Sequence, residues 1–154
     1  SLNTLLVSFW MAWLVIVFAT DCCDLLVYYG FLASDWPFAS NNLEVIFKMG
    51  GRYNLSPLIA VSLFTLIILW CAGGVGMFLN AFFHIKNRDR FLNVSCWAYL
   101  FLIGLNLCFC IADEIFIFYD YMDGLMGRIS LLILCYMCSL AEIFLRSRWC
   151  TEEI

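Results

Sequence analysis

Charge is scarce in this chain. Of 154 residues, eight are Lys or Arg and twelve are Asp or Glu, so 13% carry charge while 65% are hydrophobic. A water-soluble domain is roughly a quarter charged and about half apolar, so composition excludes that class. The eight basic residues form no patch wide enough to track a phosphate backbone, which excludes nucleic acid as a partner. A single histidine, His84, leaves nothing from which to build a histidine-based metal site. With only two prolines, the long runs contain almost nothing that breaks a helix. Alternation of apolar and polar residues at a period of two is missing as well, which argues against a transmembrane barrel.

What is abundant is near-continuous apolar sequence in runs of about bilayer length. In hydrocarbon each backbone polar group must be satisfied within the protein, so these runs are expected to be helices. The expected fold is an all-α integral membrane protein with four transmembrane helices, up-down-up-down, both termini on the same side, in a single domain over 1–154. The spans fall at 2–20 with an extension towards 33, 57–83, 92–112 with an extension towards 119, and 129–146. The first run lacks a basic n-region and a small-residue cleavage site, and is expected to be a retained span rather than a signal peptide. Ser56-Pro57 opens the second span with an N-cap residue and a proline at the first helical position. Its Gly73-Gly74-Val75-Gly76 patch would let a neighbouring helix approach closely. In the long connection 34–56, residues 43–49 fit a short interfacial helix, with Trp36 and Tyr53 as interface anchors.

Orientation follows from where the positive residues fall. Lys86, Arg88, Arg90, Arg146 and Arg148 lie on one side; Lys48, Arg52 and Arg128 lie on the other. The positive-inside rule places the 84–92 connector and both termini inside. His84, Lys86, Arg88 and Arg90 are expected to anchor that connector at the interface. On the opposite side Asp21 and Asp24, three apart on one helix face, meet Asp113 and Glu114 at similar depth. Carboxylates at the membrane are costly and mark ion pathways or partner contacts when they are not simply solvated or paired with arginine. Glu142 stands four residues before Arg146, the spacing of an i,i+4 ion pair.

Two short patterns resemble known families. Asp120-x2-Asp123-Gly124-x2-Gly127-Arg128 resembles the first half of the CDP-alcohol phosphatidyltransferase signature, which implies aspartates holding metal and a cytidylyl diphosphate. The family has alanine where Gly127 stands, and a glycine and two aspartates where Met137, Ala141 and Leu145 stand here. Cys135-x2-Cys138 resembles the motif of the quinone-linked thiol oxidoreductases, four-helix membrane proteins that include the vitamin K epoxide reductases. That family needs a second cysteine pair in an exterior segment; the 34–56 connection has no cysteine. The nine cysteines lie mostly within apolar runs, where cysteine packs as a small hydrophobe.

No catalytic residue can be assigned, because no nucleophile has a base beside it in the pattern. The expected function is therefore a non-catalytic accessory or structural subunit of a multi-subunit membrane complex, with other membrane subunits and lipids as partners and bound structural lipids; the sequence assigns no cofactor. The alternatives are a small ion or proton channel or transporter using Asp21, Asp24, Asp113, Glu114 and Glu142, and a membrane-bound enzyme of thiol redox or lipid phosphotransfer chemistry.

Overall fold

The computed structural model describes residues 2–116 and 122–152, with side chains described as far as Ser147. The described residues are all-α: α1 (Leu2–Tyr28), α2 (Asn42–Gly51), α3 (Pro57–Phe83), α4 (Arg88–Phe116) and α5 (Met122–Glu152). Four of them, all but α2, are long and apolar enough to cross a membrane. The protein is an integral, multi-pass membrane protein.

Helix ends follow local chemistry. Ser56 caps α3, its hydroxyl accepting from the Ile59 amide at 3.4 Å, and Pro57 follows at the first position. At the end of α1, Gly30 takes a φ of 76°, which an L side chain rarely adopts. The Phe31 amide then donates to the Leu26 carbonyl at 2.9 Å and the Gly30 amide to Val27 at 3.0 Å, a Schellman closure.

The first helix ends within its expected extension, and two helix starts differ from the expected ones. α1 runs through Asp21 and Asp24 without a break to Tyr28. α4 starts at Arg88 rather than 92, and α5 at Met122 rather than 129, so Asp123-Gly124 and Gly127-Arg128 are helical rather than a turn. Both added N-terminal segments pack into the bundle: Phe91 and Leu125 are buried, and packing outweighs the local preferences of Asp and Gly. The expected extension of the third span beyond 116 lies outside the described residues.

The four long helices touch one another. α4 packs most extensively against α5 and then α3, α3 packs against α1, and α1 makes a smaller contact with α5. Between them lies an apolar core that includes Val7, Trp10, Leu14, Phe78, Tyr99 and Leu132. Phe78 and Tyr99 meet edge to face at 5.6 Å between ring centres. Lipid tails are as apolar as these side chains, so close packing rather than expulsion of water holds the interior together. The glycine patch serves that packing at two positions: a Cβ on Gly73 would stand 3.2 Å from Phe101 Cζ, and one on Gly74 2.6 Å from Leu14 Cδ2. Gly74 is what lets α1 lie against α3 here.

One end of the bundle is fastened by a polar network. Arg88 at the start of α4 donates to both carboxylate oxygens of Glu142 on α5, each at 2.6 Å. Asn3 on α1 donates to Glu142 Oε2 at 2.7 Å and accepts from the Ser139 hydroxyl at 3.2 Å, while Arg88 also reaches Thr4 Oγ1 at 3.4 Å. Three helices are thereby joined through groups that would otherwise be unsatisfied.

Candidate functional site

The opposite end of the bundle is built around α2. Its apolar residues Leu43, Ile46 and Phe47 pack with Val61, Phe64 and Ile68 of α3 and with Phe18, Cys22 and Leu25 of α1. Its polar face carries Glu44 and Lys48, an exposed i,i+4 pair at 2.9 Å. The first turn of α2 has no cap from its own residue Asn41. Asp24 of α1 supplies one instead: its Oδ2 accepts from the Leu43 amide at 2.9 Å and from the Ser40 hydroxyl at 3.1 Å. A carboxylate at this end also suits the helix dipole. Asp21, one turn earlier, accepts from Asn42 Nδ2 at 2.8 Å. These two buried acids secure a surface helix. That role explains why they interrupt an apolar run without ending the helix that carries them.

Beneath α2 is a cavity of about 550 Å³, lined by residues of all five helices. Its walls are mainly apolar and aromatic, with Trp13, Phe64, Trp70, Phe109 and Phe116 among them. From Ala60 to Cys71 along α3 it extends about 16 Å at 1.5 Å per residue. That is about half of a 30 Å hydrocarbon core. Five polar side chains line it: Asp21, Asn42, Asn106, Asp113 and Arg128. Tyr53 closes over the nearby end of α4, its hydroxyl donating to the Ile115 carbonyl at 3.0 Å and its ring against Phe116 at 5.3 Å.

Three polar groups of the lining make no hydrogen bond among the described residues: the Asp113 carboxyl, Arg128 Nε and Trp70 Nε1. Asp113 is 8% exposed and makes no hydrogen bond or ion pair among the described residues. Arg128 has a buried Nε with no acceptor among the described residues; its guanidinium lies 5.8 Å from the centre of the Trp13 ring. Cation–π contact offsets part of the cost of burying that charge, and an unmade hydrogen bond in such a place remains expensive.

Asp21 and Asp113, expected at similar depth, do line one cavity. Asp24 turns instead to α2, and Glu114 is exposed. Glu142 lies at the other end, and the expected i,i+4 pair with Arg146 does not form. Glu142 is taken by Arg88, whose planar fork matches a carboxylate bidentately, and Arg146 reaches Asp89 at 3.0 Å. In the connector, Lys86 and Arg90 are exposed, His84 is half-buried at the end of α3, and Arg88 turns inward. Arg128 stood out in the sequence as a basic residue of the far side and as the end of the phosphotransfer-like pattern; its place in the cavity depends on α5 starting at Met122. Cys135 is buried and accepts from Trp10 Nε1 at 3.4 Å, with Cys138 half-buried one turn on. Among the described residues no disulfide forms, and no three Cys, His, Asp or Glu side chains gather as a metal-ligand set. Of the phosphotransfer-like pattern, Asp120 lies outside the described residues. Comparison with known proteins finds no match: no family model, no curated protein and no solved structure is similar to the chain.

Proposed function

We propose that the protein is a non-catalytic accessory subunit of a larger membrane complex, acting by binding rather than by conducting or converting. Its spans alternate up-down-up-down, with the 84–92 connector and both termini on the inner side. The observation that carries this is how the bundle divides along its length. The half towards Arg88 is filled by buried side chains such as Trp10, Phe78, Tyr99 and Leu132 and fastened by the Arg88–Glu142–Asn3 network. The outer surfaces of α1 and α5 are rich in large apolar side chains such as Phe9, Ile16, Ile133 and Met137. A packed interior offers no wet route for an ion, whereas broad apolar faces suit lipid and neighbouring helices.

The test is photo-crosslinking in native membranes from a reactive residue placed at Phe9, Ile16, Ile133 or Met137. One defined protein adduct from one helix face, absent from the other, is expected. Lipid adducts alone from all four positions would overturn the subunit role. The second possibility, a transporter or channel, is favoured by one observation, the shared exposure of Asp21 and Asp113 to the cavity. It requires ion flux by the purified protein in liposomes, lost in Asp113→Asn; no flux is expected here.

A further inference from the structure

We propose that the cavity under α2 binds a phospholipid whose headgroup carries both a primary ammonium and a phosphate, with one acyl chain running in towards Trp70 and Cys71. The proposal goes beyond an accessory role, because it names a ligand class and its site, and binding alone tests it.

Shape sets the first condition. The cavity is about 550 Å³, within the range of sites for small amphiphilic molecules. Its depth along α3 is about one leaflet, so an acyl chain entering beside Leu55 would end near the middle of the membrane. The deep walls, among them Leu14, Ile67 and Trp70, offer carbon surface to such a chain.

Charge sets the second. Asp113 is nine-tenths buried and unpartnered, and Arg128 holds a buried Nε with no acceptor among the described residues; both line the cavity. Neither forms an ion pair with the other or with any described residue. Two opposite charges left separately unmatched in a desolvated site call for a ligand carrying both. A primary ammonium brings N–H donors to Asp113, with Asp21 close by as a second acceptor in the lining; a phosphate answers the guanidinium of Arg128. Asn42 and Asn106 add amides to the same lining. A choline headgroup has the charge but no N–H for the carboxyl. A glycerol headgroup brings the phosphate but sets its charge against two carboxyls with no cation to offset them.

The test is native mass spectrometry of the full chain, purified in detergent and titrated with phosphatidylethanolamine, phosphatidylcholine or phosphatidylglycerol of matched acyl chains. Phosphatidylethanolamine adducts are expected to survive about tenfold better than either of the others. Asp113→Asn should reduce its retention to the phosphatidylcholine level, and Arg128→Gln should lower retention of all three phospholipids. Equal retention of the three headgroups by the wild-type protein would overturn the proposal, as would a headgroup preference that survives Asp113→Asn. Should Asp113→Asn fail to fold, the wild-type headgroup series and Arg128→Gln still decide the matter.

Discussion

Glu142 accepts from Arg88 and Asn3 together, so its loss strands two donors at once. The Arg88 and Glu142 side chains are 19% and 30% exposed, too little for water to replace what is lost. Glu142→Ala is therefore expected to destabilise the protein by about 2 kcal/mol, measured by thermal unfolding in detergent. Removing both ends, Arg88→Met with Glu142→Leu, should cost less than either single change, because no charge is left buried alone. Losses that add would show that the pair does not couple. The sequence spacing suggested Arg146 as the partner, and on an isolated helix that choice is sound. The tertiary partner wins because α4 brings a guanidinium with two parallel donors to a place already shielded by α1.

Asp24 acts on an element other than its own. By accepting from the Leu43 amide it supplies the cap that Asn41 does not, so Asp24→Ala should cost about 1 kcal/mol. The loss should be local: amide exchange in α2 should rise while α1 and α3 remain protected. If exchange rose evenly across the bundle, the capping role would be wrong. The glycine patch divides in the same manner. Gly74→Ala puts a methyl group against the buried Leu14 and should destabilise by about 1 kcal/mol. Gly76 has open space around its missing Cβ, so Gly76→Ala should be neutral or stabilising by up to about 1 kcal/mol through helix propensity. Thermal unfolding of the two variants side by side checks both. The patch itself was visible in the sequence as an opportunity for close approach; which of its glycines is used depends on where Leu14 of another helix falls.

The whole bundle has one end filled by buried side chains and one hollow end, and the orientation proposed above would set the hollow end on the outer side. A membrane-impermeant maleimide should label Asn41→Cys in intact cells and Asn87→Cys only after the membrane is opened. Labelling of both from one side would refute the alternation of spans. The basic connector still supplies the orientation count, but one of its arginines is an internal fastener: Arg88 binds Glu142 and is less exposed than a headgroup anchor would be. The hollow end owes its shape to α2, which packs on α1 and α3 through Leu43, Ile46 and Phe47 and is tied down by Asp21 and Asp24.

Composition and the length of the apolar runs were enough to establish a four-span helical membrane protein, because a backbone in hydrocarbon has few alternatives and each span satisfies itself. The capping of α3 by Ser56 and Pro57 was equally legible, being local to a few residues. The pairing of side chains across helices was not. Asp21 and Asp113 are 92 positions apart, and the alternation of spans sets them at similar depth; that they face one cavity, and that Arg128 joins them there, is not in their spacing. Which acids cap, which pair and which remain open to a ligand is settled by the rotation and depth of each helix against its neighbours. Those follow from packing of side chains distant in sequence, and a single chain read in order does not contain that information in any one stretch.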